Sequence, residues 1–197
     1  MRSAILCMIV SYLIGSFPTG YLVTLATKGM DIRSTGSGSI GATNVRRILG
    51  QGWGVFVAVI DMLKGALAIL VTGASASAAP WLLSLAGIAA VIGHNYPVWL
   101  KFKGGKGVST TYGVLFFLCP PDSFAVALLG GAIWYAVVTT TRYVSLASMI
   151  SLLTVPLFFW MLDAVPFILV SLALAIFALY RHRDNIDRLI KGRENRV

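Results

Sequence analysis

Three polar passages interrupt an otherwise apolar chain, and their residue types suit anions. The first reads GSGSIGATN, Gly36 to Asn44. Glycines at 36, 38 and 41 admit positive φ and close backbone approach, so successive amides can turn inward as an anion-binding nest. Ser37, Ser39, Thr43 and Asn44 add donors, and Arg47 can clamp a phosphate or carboxylate through two parallel hydrogen bonds. A flexible interhelical loop with snorkelling arginines, Arg46 and Arg47, is the competing reading. The spacing matches neither GxGxxG nor a Walker loop, so no nucleotide is implied.

The second passage is GHNYPVWLKFKGGKGVSTTYG, Gly93 to Gly113. Lys106, open backbone at Gly104, Gly105 and Gly107, and hydroxyls just before an apolar helix make a place that phosphate favours. Unpaired amides and the helix dipole meet an anion there. It is no P-loop, because Gly107 stands where Ser or Thr is required. His94 reads either as a ligand contact or as a hydrogen-bonded histidine at a helix end. The third passage is YRHRDNIDRLIKGRENR, 180 to 196. Basic tails after a last span rest on anionic headgroups. Against that reading, His182 and Asn185 are spaced i, i+3 on one helix face, and imidazole exchanges a proton near neutral pH. A smaller element, TRYVSLAS, spaces Arg142 and Ser145 in the same way, as an anchor or as an anion contact.

These passages act together only if the apolar segments bring them to one face. The 197 residues are 57% hydrophobic and 12% charged, about half the charge of a soluble domain. An all-α integral membrane protein follows, a single compact bundle over 1–197 with no internal repeat. Seven candidate spans lie near 4–26, 53–73, 79–93, 107–119, 123–141, 144–162 and 164–180, the third and fourth short and flanking the glycine-rich stretch. The first reads as a retained helix, since no small-residue cleavage site precedes Lys28.

Charge alternates along these spans. Lys28, Arg33, Arg46 and Arg47 fall in the first loop, Lys101, Lys103 and Lys106 in the third, Arg142 in the fifth, and the basic tail closes the chain. The intervening loops contain no Lys or Arg and carry Asp122 and Asp163. The positive-inside rule then places the C-terminus and every polar passage in the cytoplasm, with the N-terminus outside. The formal charge of +9 is accounted for in this way, which removes the case for nucleic acid. Cys7 and Cys119 form no disulfide framework, and no carboxylate cluster or metal-ligand spacing implies a metal.

GSGSIGATNVRR, GHNYPVWLKFKGGKGV and RHRDNIDRLIKGRE resemble the three cytoplasmic motifs of the bacterial membrane acyl-phosphate:glycerol-3-phosphate acyltransferase family. The likeness runs from GSFPTGYL near residue 15 to the tail. It implies a seven-helix inner-membrane enzyme of phospholipid biosynthesis with one transmembrane domain. That enzyme moves an acyl group from acyl phosphate to the 1-hydroxyl of glycerol 3-phosphate, releasing 1-acylglycerol 3-phosphate (lysophosphatidic acid) and inorganic phosphate. By matching position, Ser37 and Arg47 are essential, and Gly104, Gly105, Lys106 and Gly107 bind glycerol phosphate. His182 and Asn185 serve activity, and Glu194 supports structure. Ser39 departs from the family's usual asparagine.

The expectation is then that Gly36 to Asn44 holds the acyl phosphate, while Lys106, Arg142, Ser145, His182 and Asn185 meet glycerol 3-phosphate. Attack is direct, with no acyl-enzyme, no cofactor and no metal. Membrane lipid is the surrounding partner, and no obligate protein partner is evident. His182 and Asp187 share the letters of an unrelated His-x4-Asp acyltransferase motif, but i and i+5 lie about 140° apart on a helix. Two rivals are a phosphate or organic-anion transporter and a lipid-binding scaffold. The transporter reading needs ionisable groups inside a span, where only Asp61 and Lys64 qualify, and their i, i+3 spacing pairs them with each other.

Overall fold

In the computed structural model, which describes residues 2–75 and 79–197, the chain is helical, with no strand among the described residues. In order, the helices are α1 (Arg2–Gly15), α2 (Thr19–Lys28), α3 (Ala42–Leu49), α4 (Gln51–Gly73), α5 (Pro80–Asn95), α6 (Val108–Phe117), α7 (Asp122–Thr141), α8 (Val144–Met161), α9 (Val165–Arg181) and α10 (Arg183–Ile190). They fall into two compact units that divide between Leu118 and Cys119.

Five stretches among the described residues are long and apolar enough to cross a bilayer, or six if α9 and α10, bent by 60°, count as one. The expected boundaries near 53–73, 79–93, 123–141, 144–162 and 164–180 agree within a few residues with α4, α5, α7, α8 and α9. The first span, expected near 4–26, is a candidate crossing over Ser3–Lys28 in which two helices meet at Ser16–Phe17–Pro18, because proline has no amide to continue the ladder. The fourth is only ten residues long, about 15 Å against about 30 Å of hydrocarbon.

α4 shows how polarity is arranged. Val57, Asp61, Lys64, Ala68 and Thr72 recur at helical spacing and are buried, whereas Leu63, Leu67 and Leu70 on the other face are about half exposed. Small and polar residues turned inward and large apolar ones outward are what a lipid solvent selects. Trp53, Trp81, Trp99 and Trp160, all exposed, sit near helix or turn ends where amphipathic rings favour the interface.

In the first unit α4 packs on α6, and α1 on α5. Gly65 lies against the Thr110 carbonyl and Gly113 against the Met62 carbonyl, so a Cβ at either position would overlap backbone of the facing helix. Gly15 and Gly93 do the same for α1 and α5. The α1/α2 break is closed from α4: Lys64 Nζ donates to the Phe17 carbonyl at 3.0 Å. Asp61 Oδ1 pairs with Lys64 at 2.8 Å and accepts from Thr19 Oγ1 at 3.1 Å, so the expected pairing of the two ionisable residues is found. A small satellite core of Ile32, Ile40, Val45, Val57 and Leu100 underlies the first polar loop.

In the second unit α8 packs between α7 and α9 around Leu152, Val155, Phe159, Phe167, Val170 and Leu174. Trp134 Nε1 donates to Ser148 Oγ at 3.1 Å across α7 and α8. The C-terminal segment returns to the start of α8, where the Val197 amide donates to the Arg142 carbonyl at 3.0 Å.

Candidate active site

The first polar loop organises itself around one amide. Asn44, on the first turn of α3 and 1% exposed, accepts from the Ser37 amide at 3.0 Å. Its Nδ2 donates to the carbonyls of Ser39 (2.9 Å) and Thr35 (3.0 Å), with Ile32 at 3.4 Å. Gly36 and Gly38 adopt positive φ as expected, whereas Gly41 is extended and begins α3. The loop amides of Ser37, Gly38 and Gly41 are bonded to Asn44 Oδ1, the Thr35 carbonyl and Ser39 Oγ respectively. Asn44 thus shapes the loop with both ends of its side chain, and Ser37, Arg46 and Arg47 stand exposed around it.

Asp31 and Arg33 hold this loop to the next. Arg33 donates to both Asp31 oxygens, at 2.6 Å through Nη2, and Nη1 donates to the Leu100 carbonyl at 2.9 Å. The guanidinium hydrogen bond holds the Asp31 carboxyl below its ordinary value, while the same bond raises Arg33 further. In the sequence Arg33 is one of four basic residues of the first loop. The Asp-x-Arg spacing was the available signal, but its target, a carbonyl 67 residues away, was not legible.

The glycine-lysine stretch folds over the end of α5. The Gly105 amide donates to the His94 carbonyl at 3.1 Å and the Gly104 amide to the Asn95 carbonyl at 3.2 Å. Gly107, in the left-handed region at φ 78°, precedes α6, and Lys106 is half-buried. Ser37, Arg47 and Lys106 belong to the first unit, whereas Arg142, Ser145, His182, Asn185 and Glu194 belong to the second.

There, Glu194 is a hub. Oε1 accepts from Asn185 Nδ2 at 2.6 Å and from Ser145 Oγ at 2.9 Å, and Oε2 accepts from Arg188 Nε at 2.8 Å. Burial pushes this carboxyl up, but the hydrogen bonds from Asn185, Arg188 and Ser145 outweigh it and hold it below its ordinary value. A depressed folded value means that the ion's stabilisation is present above the ordinary 4.5 and is lost as pH falls through the lower folded value. Glu194→Gln leaves Arg188 facing an amide; the expected loss is about 1–3 kcal/mol. Thermal melts from pH 3 to 7 should show it as a lower midpoint above pH 4.5 and a weaker fall in acid than the native chain shows.

His182 stands at the bend between α9 and α10, 2% exposed. Its Nδ1 lies 2.8 Å from the Ala178 carbonyl, which can only accept. Nδ1 therefore carries the proton, and in the neutral ring Nε2 bears the lone pair. The backbone amides of Asn185 and Ile186 donate to the His182 carbonyl, so the first turn of α10 is built on His182. Asp187 pairs instead with Lys191 at 2.8 Å. Arg142 is exposed and closes α7 in the left-handed region at φ 65°.

Comparison with known proteins covers nearly the whole chain. Residues 5–192 match the family model described as glycerol-3-phosphate acyltransferase. A glycerol-3-phosphate acyltransferase of Desulforudis audaxviator is 50% identical over 196 residues, 98% of this chain and 96% of that protein. The Aquifex aeolicus protein of the same description is 41% identical over 194 residues, 98% of each. A crystal structure of PlsY (YgiH), an integral membrane glycerol 3-phosphate acyltransferase, in its glycerol 3-phosphate form superposes with a TM-score of 0.91 at 41% identity, covering 99% of this chain and 96% of that one. Its lysophosphatidic acid form gives 0.87 at 39% identity, covering 98% and 95%.

Proposed function

Since the chain belongs to the glycerol-3-phosphate acyltransferase family, we propose that its donor is an acyl phosphate and that the acyl group passes directly to the acceptor. The protein is a glycerol-3-phosphate acyltransferase. The observation that carries the reading is the likeness to one enzyme solved both with glycerol 3-phosphate and with lysophosphatidic acid, the two ends of a single acylation.

The 1-hydroxyl oxygen attacks the acyl carbonyl, the bond from that carbon to the phosphate oxygen breaks, and the hydroxyl proton passes to the departing phosphate. A mixed anhydride is already activated, so the residues position and stabilise charge. The Gly36–Asn44 loop, shaped by Asn44, presents Ser37 and Arg47 to the acyl phosphate. Gly104 to Gly107 with Lys106 hold glycerol 3-phosphate, and Arg142, Ser145, His182 and Asn185 add contacts to it, with Glu194 fixing Ser145 and Asn185. Holding both reactants removes up to about 7–11 kcal/mol of barrier. Each donor on the developing oxyanion adds about 3–4 kcal/mol.

Purified protein given palmitoyl phosphate and glycerol 3-phosphate should release inorganic phosphate and 1-acylglycerol 3-phosphate in equal amounts. Turnover with acyl-CoA but not with acyl phosphate overturns the donor assignment. A stoichiometric phosphate burst without acceptor would reveal an acyl-enzyme and end direct attack. His182→Gln should lower kcat/KM for glycerol 3-phosphate about tenfold, as lost hydrogen bonding does, and leave the shape of the pH–rate profile unchanged. Disappearance of a near-neutral limb would make the imidazole the base.

The site faces the cytoplasm of a bacterial inner membrane crossed seven times, N-terminus outside. Loop charge supports this orientation. Thr110 to Leu115 of α6 are buried in protein, where irregular backbone is tolerated at membrane depth, so a short crossing is physically sound. Impermeant maleimide on intact cells should label Asp163→Cys and not Lys191→Cys; the reverse pattern inverts the topology. The transporter alternative is not favoured, since Asp61 and Lys64 bond each other.

A further inference from the structure

The buried Asp61–Lys64 pair does more than close the break in the first span, because the same carboxylate reaches toward the end of α5. His94 Nδ1 lies 3.7 Å from Asp61 Oδ1, with both side chains 4% exposed or less. The other end of that ring meets the glycine-lysine turn: a Cβ on Gly105 would overlap His94 Nε2. Beside it, a Cβ on Gly107 would come within 2.9 Å of Asn95 Oδ1. The carbonyls of the same two residues accept the amides of Gly105 and Gly104. His94 and Asn95 therefore form a polar shelf, and the missing side chains of the turn face the shelf.

The shelf carries polar groups beyond those that bond the turn. Asn95 is wholly buried, and neither end of its amide has a hydrogen-bond partner among the described residues; the buried Thr110 hydroxyl is in the same condition. Buried polar groups of this kind are places where a bound water, an ion or a functional role is expected. Beside these groups the Asp61 carboxylate, held by Lys64 and Thr19, stands behind an imidazole whose far end abuts Gly105 of the glycine-lysine turn.

We propose that Asp61 and His94 are positioning residues: Asp61 orients the imidazole, and the imidazole's Nε2 end supports Gly105, which fixes where Lys106 presents its charge to glycerol 3-phosphate. This rests on the reading that the glycine-lysine turn holds that substrate. It assigns work to an ionisable cluster that lies beneath the polar surface and touches no substrate itself.

Two near-isosteric replacements separate the ring's ends. Gln places its amide close to the Nε2 position, and Asn places its amide close to Nδ1. His94→Asn should raise KM for glycerol 3-phosphate at least tenfold, with KM for palmitoyl phosphate within twofold of native. His94→Gln should restore KM for glycerol 3-phosphate to within threefold, and Asp61→Asn should fall between them. Equal rises in both KM values, an Asn variant indistinguishable from native, or failure of both variants to purify folded would each reduce His94 to a packing residue and overturn the proposal. Lys106→Ala, assayed alongside, tests the underlying reading. If it leaves KM for glycerol 3-phosphate unchanged, the turn does not hold that substrate, whatever the His94 variants do.

Discussion

Gly104→Ala is expected to lower kcat/KM for glycerol 3-phosphate by at least about 100-fold, the scale of an ångström of misplacement in a reacting complex. The new Cβ would overlap the His94 carbonyl and lie within 2.8 Å of the Asn95 carbonyl, with Pro97 Cδ also in the way. All three are main-chain or ring atoms, so no rotamer change relieves the overlap. The two carbonyls are also the acceptors of the turn's own amides, and the turn must leave them to admit a methyl group. Steady-state kinetics should show the loss, while the melting midpoint moves only slightly because the helices are untouched. Gly131→Ala is the matching control. Nothing lies within 4 Å of its added Cβ, and alanine in a helix interior is favoured by about 1 kcal/mol; activity should stay within twofold.

Asn44→Ala is expected to be as damaging through the first loop. It takes away the acceptor of the Ser37 amide and the donor shared by the carbonyls of Thr35 and Ser39. Each buried group left without a partner costs about 1–3 kcal/mol, enough to release the exposed Gly36–Gly38 arc that precedes the buried anchor Ile40. Activity should fall at least about 100-fold on the same scale as above, and trypsin should cut faster after Arg46 or Arg47. Asn44→Asp is the sharper variant. It keeps the acceptor for Ser37 but sets a carboxylate against two carbonyls, so it should rescue nothing. Full activity in Asn44→Asp would show that the donated hydrogen bonds are dispensable.

These two residues also show what the sequence discloses and what it hides. The loops stand out because glycine, hydroxyl and basic residues are conspicuous among apolar runs, and the apolar runs give helix limits because lipid imposes length directly. Positive φ at Gly36, Gly38 and Gly107 follows from residue type. Asn44 was read as one more donor to a ligand, yet its side chain is spent on the loop, since its acceptors lie five to twelve residues back along a fold not yet known. By residue type Gly104 and Gly105 are open backbone for phosphate. Their requirement comes equally from α5 beneath them, a contact between segments about ten residues apart that spacing alone does not encode. Ser145, Asn185 and Glu194 were each legible as polar residues near helix ends, but their meeting at one carboxylate depends on the return of the tail, which no local pattern announces.

The lysine that closes the first span has a consequence for biosynthesis. Lys64 lies 47 residues beyond the Phe17 carbonyl it bonds, and ribosomes add about 5–20 residues per second. For about two to nine seconds the nascent chain holds a broken first span whose completing cation has not been translated. The break is closed by a later-arriving helix, which makes insertion of that helix a precondition for the earlier one to reach its mature form.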